Sequence, residues 1–329
     1  MKEITYAEAI NEALDEEMAR DDKVIVMGED VGLYGGVWRT SVGLQKKYGT
    51  KRVIDTPISE NSFVGCAIGA AITGLRPVVE VMYIDFITLA LDQIINQAAK
   101  LRYMFGGKVK VPIVIKTTGG AGKGNAAHHS QSLESLFCHI PGLKVVMPST
   151  PSDAKGLMKS SIREDNPVIF IEHKLLYPKK EEIDSTQELI PIGKAKIVRK
   201  GADITIVAIS NMLYKAIDAA DVLEKEFNIS SEIIDPRTVS PIDFETIIGS
   251  VKKTNNALIV HESNKKAGIG AYIASCITEE AFDWLDSAPS VIGGLDCPIP
   301  YSYVLEDAVI PSENQIVTKV KEQLRKGIK

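Results

Sequence analysis

Runs of aliphatic residues alternate with helical patterns along this chain, and the alternation comes in two blocks. In the first block a helical pattern over residues 6–19 leads into the apolar run Val24 to Met27. Further apolar runs lie at Pro77 to Met82, at VPIVIK (111–116), at Leu143 to Met147 and at Pro167 to Ile171. Between them fall two more helical patterns. One covers 87–104, with Leu91, Ile94, Ile95, Ala98 and Leu101 as its inner stripe; the other covers 152–164, with Asp153 near its start. Strand, loop, helix and strand in that order imply a parallel sheet with right-handed crossovers, the hand in which a helix packs back onto a twisted sheet.

Residues 178–192, PKKEEIDSTQELIPI, lose the periodicity and gain charge and prolines, as a linker does. The alternation restarts with DITIVAIS (203–210), a helix over 212–226, SEIID (231–235), a helix near 242–251 and ALIVHE (257–262). The expected fold class is α/β: a parallel-sheet domain over 1–177, a linker over 178–192 and a smaller α/β domain over 193–329. No internal repeat or low-complexity segment interrupts this plan.

Composition narrows the function classes. With 45% hydrophobic and 25% charged residues the chain carries enough apolar content for two ordinary cores. Its 38 Lys and Arg against 43 Asp and Glu argue against nucleic acid or an acidic membrane as partner. Cys66, Cys138, Cys276 and Cys297 form no CxxC pair, so neither a zinc site nor a disulfide framework is indicated, and reduced thiols are expected. The acid-bearing N-terminus does not read as a secretory signal, and no run reaches the roughly 18 apolar residues of a membrane span. The expectation is a cytoplasmic protein.

Several residues can carry chemistry, and each has a structural alternative. Glu29 and Asp30 follow the apolar run Val24 to Met27, at a strand end where open α/β sheets place ligands, or they are simply solvated. Glu60 follows DTPIS and starts a helix, as an acid–base group or as a dipole-compensating cap. Phe86 sits between Asp85 and a helix start, where an aromatic is usually core. The loop GGAGKG (119–124) invites a phosphate-binding reading although it fits neither the Walker nor the GxGxxG spacing; otherwise it presents His128 and His129 at the sheet mouth. His139 and His173 read as hydrogen-bonded core or interface residues, and His261 as an edge residue of the second domain without an identifiable partner. The Gly- and Ala-rich stretch NSFVGCAIGAAIT (61–73) reads as a helix that lies close to another backbone, within the chain or in a second subunit.

Long motifs then point to one family. GEDVG (28–32), DTPISE (55–60), GLRPVVE (74–80), LDQIINQAAKLRYMFGG (91–107), HSQS (129–132), PGLKVVMPSTPSDAKGL (141–157) and NPVIFIEHKLLY (166–177) resemble the β subunits of thiamine diphosphate-dependent E1 components. DPRTVSPID (235–243) and LDCPIPYSYVLEDAVIP (295–311) extend the resemblance over essentially the whole chain. Such subunits serve pyruvate, branched-chain 2-oxo acid and acetoin dehydrogenase complexes. GLYGGVW (32–38) resembles pyruvate-type chains, whereas NQAAKLRYMFGGK and EHKLLY resemble acetoin-type ones.

The resemblance implies a transketolase-like pyrimidine-binding domain followed by a transketolase C-terminal domain. It implies that Glu60 is the carboxylate bonded to N1′ of the cofactor aminopyrimidine and that Phe86 packs on that ring. It places His129 at the thiazolium carbon, where it serves transfer to the lipoyl group, and Glu29 in a polar passage near the cofactor. It further implies a potassium-type ion held largely by main-chain carbonyls of Ile113, Ser161, Ile162, Glu164 and Asn166. The GDG element that holds Mg²⁺ and the diphosphate does not occur in this sequence, so the family's separate α subunit is expected to supply that half of the site in an α2β2 tetramer. The other expected partner is the lipoyl-bearing E2 acyltransferase. Two alternatives stand beside this reading: a transketolase-like carbon-transfer subunit and a noncatalytic assembly subunit of the same fold.

Overall fold

The computed structural model describes residues 2–183 and 189–326. Among these the chain forms two compact units. The first takes the chain as far as Gly119 and again from Leu136 to Ile192; the second takes Gly120–Ser135 and the chain from Gly193 onward.

In chain order the elements of the first part are Lys2–Thr5 (β1), Tyr6–Arg20 (α1), Val24–Gly28 (β2), Leu44–Tyr48 (α2), Val53–Asp55 (β3), Glu60–Ile72 (α3) and Arg76–Val81 (β4). Ala99–Met104 (α4), Val114–Gly119 (β5), Glu134–Cys138 (α5), Lys144–Val146 (β6), Pro151–Arg163 (α6), Val168–His173 (β7) and Lys180–Ile183 (β8) follow. The sheet of the first unit runs β6-β7-β5-β4-β2-β3, every neighbouring pair parallel. Its strands are rich in apolar residues because both faces are covered; β2, VIVMG, is buried at every position. Register places Val78 opposite Val114 and Val114 opposite Val168, so the apolar runs found in the sequence meet side by side.

Local chemistry fixes the helix ends. Thr5 and Glu8 form a reciprocal capping box at the start of α1. Thr150 caps α6, whose first position is Pro151. Helices α1 and α6 pack together through ion pairs in which the buried Lys155 meets Glu12 at 2.9 Å and Glu16 at 2.8 Å.

One expectation needs correction here. The stretch 87–104 is not one α-helix: Phe86–Ala90 is 3₁₀ and Asp92–Ala98 is π-helical before α4 begins. The wider π turn buries Ile94 and Ala98 and leaves Leu91, Ile95 and Leu101 only half-buried. The stretch read as a linker holds β8, which pairs antiparallel with β1, Lys2 opposite Ile183. Its residues 184–188 lie outside the described residues.

The second unit contains Lys196–Arg199 (β9), Ile204–Ala208 (β10), Met212–Phe227 (α7), Ser231–Asp235 (β11), Thr238–Ser240 (β12), Phe244–Thr254 (α8) and Ala257–Asn264 (β13). Ile269–Ala281 (α9), Ser290–Gly294 (β14), Tyr303–Val309 (α10) and Glu313–Lys326 (α11) complete it. Its sheet runs β14-β13-β10-β11-β9, parallel except for β9, which is antiparallel to β11. Leu213, Ala216, Ala220 and Leu223 of α7 join Ile316 and Val320 of α11 in one buried core with β10 and β13. No helix among the described residues is long and apolar enough to cross a membrane.

Candidate active site

Strands β3, β2 and β4 lie side by side, with Gly28 of β2 opposite Asp55 of β3 and Glu80 of β4. Their carboxyl ends lead directly to Glu29, to Glu60 at the first turn of α3, and to Phe86. Parallel register therefore gathers three of the expected site residues at one sheet end, where such sheets bind ligands. Glu29 and Glu60 are both buried, at 8% and 7% exposure, and among the described residues Oε1 of Glu29 has no hydrogen-bond partner. Burial, then the charge of Glu60 and that of Asp30, raise the Glu29 carboxyl above its usual pKa. Phe86 is half-buried and meets the Tyr83 ring edge-on at 6.1 Å. Two buried acids and a half-buried aromatic thus follow neighbouring strand ends, which puts groups able to hold a proton and an apolar ring on one end of the sheet.

A second cluster in the same sheet shows what a compensated arrangement looks like. Lys116 of β5 lies 2.8 Å from Glu80 of β4 and 3.4 Å from Glu172 of β7, all three buried. Tyr177 donates to Glu172 and shares a 2.5 Å hydrogen bond with Thr118. Burial pushes Glu172 up to about 7, against the pull of Lys116 and the Tyr177 hydroxyl. Burial also works to lower the Lys116 pKa, but the charges of Glu172 and Glu80 outweigh it and raise the net value. This cluster supports the loop that follows Glu29: Thr40 donates to Glu80 at 3.3 Å, Trp38 stacks on Tyr177 at 4.7 Å, and a Cβ on Gly36 would come within 2.7 Å of Glu80 Oε1. None of these residues carries a functional signature of its own in the sequence. The available signal was a charged residue inside each apolar strand, at 80, 116 and 172, a position that requires a buried partner.

In the second unit, His128 is exposed and His129 half-buried. They lie on the segment between Gly120 and Gln131, whose N–H and C=O meet at 2.9 Å. His128 helps line a cavity of about 440 Å³ together with Ser130, Ser132, Glu262, Asn264 and Asp296. The phosphate-loop reading of 119–124 is not supported. Ala121 N–H donates to Glu262, and the N–H groups of Gly122 and Gly124 donate to Glu306, so internal carboxylates already occupy these amides. The same bonds explain why 120–135, expected in the first domain, clusters with the second unit. Glu262 and Glu306 were not singled out from sequence because nothing local marks a carboxylate that serves a loop more than a hundred residues away.

The remaining histidines divide differently from expectation. His173 is buried, and its Nδ1 accepts from Leu175 N–H at 3.2 Å. His139 is exposed, not core. His261 is not at an edge: β13 lies between β10 and β14, the ring is fully buried, and its Nδ1 pairs with Ser263 Oγ at 2.8 Å. Burial holds its pKa down at about 4.

The five expected ion ligands sit at Ile113 and around the end of α6. Main-chain oxygens at a helix C-terminus, with spare lone pairs, suit a weakly held cation. Arg76 already shares two of them, its Nη1 donating to Ile162 O at 2.9 Å and to Glu164 O at 3.1 Å. Ile113 O accepts from Val168 N–H at 2.9 Å and Ser161 O from Glu164 N–H at 3.2 Å. The Asn166 side chain meets Arg102 and Glu164.

Comparison with known proteins agrees with this architecture. Residues 2–180 match the family described as transketolase, pyrimidine binding domain, and residues 193–316 match transketolase, C-terminal domain. A solved structure described as a split gene transketolase, inactive beta4 tetramer, has the same fold, with a TM-score of 0.80, 22% identity and coverage of 98% of both chains. Two transketolase-type domains in tandem thus define the class. The chain is 49% identical over 320 residues to the pyruvate dehydrogenase E1 component subunit beta of Rickettsia felis, covering 97% of this chain and 98% of that one. It is 48% identical over 327 residues to the mitochondrial counterpart of Bos taurus, covering 98% and 91%. The chain belongs to the β-subunit family of thiamine diphosphate-dependent 2-oxo acid dehydrogenase E1 components.

Proposed function

We propose that this chain is the β subunit of a pyruvate dehydrogenase E1 component that works with an α subunit and passes its acyl group to the lipoyl group of an E2 acyltransferase. The observation that carries the reading is the acid pair Glu29 and Glu60. Elsewhere in this sheet the buried Glu80 and Glu172 have Lys116 as a counter-charge, although burial still raises Glu172, whereas at Glu29 burial and like charge act together with no cation among the described residues opposing them. An acid pair kept at that cost fits proton transfer better than scaffolding, which favours an enzyme over a noncatalytic assembly subunit. Pyruvate is chosen over acetoin or a branched-chain 2-oxo acid because the relatives named above are pyruvate dehydrogenase subunits.

Thiamine diphosphate, when bound, supplies a carbon nucleophile for the 2-oxo group. Glu60 would hold the proton at N1′ of the aminopyrimidine, and Phe86 would pack on that ring. Glu29 would serve as a second acid–base group at the sheet end, where burial and the charges of Glu60 and Asp30 raise its pKa. His129 would hold or release a proton at the acyl group as it leaves for the lipoyl acceptor. Magnesium and the diphosphate would belong to the α subunit, and a potassium-type ion at the carbonyls of Ile113, Ser161, Ile162, Glu164 and Asn166 would stiffen the end of α6.

The test is reconstitution. The isolated chain is expected to bind thiamine diphosphate weakly by calorimetry with or without Mg²⁺. Adding an α subunit should give tight binding and turnover with pyruvate in preference to branched-chain 2-oxo acids or acetoin. Tight Mg²⁺-dependent binding by this chain alone contradicts the shared site, and a preference for another substrate contradicts the pyruvate assignment.

A further inference from the structure

The loop Gly120–Gly124 has three glycines in the left-handed region, with φ of 87° at Gly120, 98° at Gly122 and 62° at Gly124. Such backbone turns successive N–H groups toward one side and builds a small anion-binding nest. Here the anions come from the chain itself. Ala121 N–H donates to Glu262 Oε1 at 2.6 Å, Gly122 N–H to Glu306 Oε1 at 2.7 Å and Gly124 N–H to Glu306 Oε2 at 2.9 Å. Glu306 is 1% exposed on α10, so its carboxylate has exchanged water for these amides, an exchange that is favourable only while the loop keeps its shape.

The neighbouring packing closes the clamp. Tyr303 donates to Lys123 O at 3.3 Å, and its ring lies 2.9 Å from where a Gly124 Cβ would stand. At the other end Gly120 N–H donates to Gln131 O at 2.9 Å. Between these two anchors run Asn125 to Ser130, with both adjacent histidines. We infer that Glu306, assisted by Glu262, is a positioning residue for His129: it fixes the N-terminal anchor of the segment that presents the imidazole. The inference rests on the role proposed above for His129.

The experiment uses the reconstituted complex and the full-length chain. Glu306→Ala is expected to lower turnover with a lipoyl-domain acceptor by about 10²-fold, the scale of a small misplacement of a reacting group, while thiamine diphosphate affinity stays near wild type. Formate, added as the probe, should enter the vacated nest and restore turnover in a saturable way, with no such effect on His129→Ala. Glu306→Gln keeps an acceptor of the same size and should lie between wild type and Glu306→Ala. Hydrogen exchange on the full chain gives a readout free of activity: protection of the Ala121, Gly122 and Gly124 amides should be lost in Glu306→Ala and return with formate. Wild-type turnover and protection in Glu306→Ala, alongside an inactive His129→Ala, overturns the inference alone. Loss of turnover that formate does not restore, in a complex whose 120–124 amides remain protected, overturns it too. Normal turnover in His129→Ala overturns instead the reading on which it rests.

Discussion

Glu29 and Glu60 leave neighbouring strand ends as two buried carboxylates, and the charge of Glu60 adds to burial in raising the Glu29 carboxyl above its ordinary pKa. Removing that charge while keeping the shape separates this effect from burial. In Glu60→Gln the Glu29 titration, followed by ¹³C NMR of its carboxyl carbon, should move down toward the ordinary carboxylate range. It should not reach that range, because burial is the larger cause. An unmoved midpoint means that the two acids do not sense each other.

Two buried groups make opposite contributions to stability over one pH range. Glu172 has its folded pKa raised from 4.5 to about 7, so the folded state holds the extra proton and this contribution is lost as pH rises through that window. His261 has its folded pKa lowered from 6.5 to about 4, so the unfolded state holds the extra proton and stability is lost as pH falls through that window. Each is worth about 3 kcal/mol when fully expressed, at 1.36 kcal/mol per pKa unit. Denaturant unfolding from pH 4.5 to 6.5 should show that Glu172→Gln makes the chain lose stability more steeply on acidification. His261→Gln should do the reverse. Equal pH slopes in both variants and wild type would contradict the burial assigned to these groups.

The outer face of α3 gives a test of assembly. A Cβ added at Gly69 meets nothing within 4 Å, while Asn61, Ser62, Cys66 and Ile72 on that side are exposed. Gly69→Leu should leave the isolated chain folded, with its melting temperature within a few degrees, yet weaken association with an α subunit in sedimentation. Unchanged association would mean that this face takes no part in binding the α subunit.

The strands were legible because parallel strands covered on both faces are rich in apolar residues, which is why Val24 to Met27 and ALIV at 257–260 stand out. Three kinds of feature were not. The π turn at Asp92–Ala98 keeps an apolar stripe that an ordinary helix would also show. The β1 and β8 pairing joins short, charged edge segments with no apolar period. At the site, the positions of Glu29, Glu60 and Phe86 followed from strand ends, and their family roles from long motifs. Lys116 with its two glutamates, and Glu306 with the glycine loop, depend on contacts between segments distant in sequence, so their spacing carries no trace of the pairing.

The central claim is that Glu60 is an acid–base group and not a helix cap. Positioned acid–base groups contribute about 10²- to 10⁴-fold in rate, whereas loss of a cap or dipole partner costs about 1 kcal/mol of stability and no activity. The direct measurement is exchange of the C2 proton of bound thiamine diphosphate in the complex reconstituted with Glu60→Gln, at saturating cofactor. Exchange slowed about 10²-fold or more, with assembly intact, is the expected result. Exchange and turnover at wild-type rates would show that Glu60 is structural and would contradict the account.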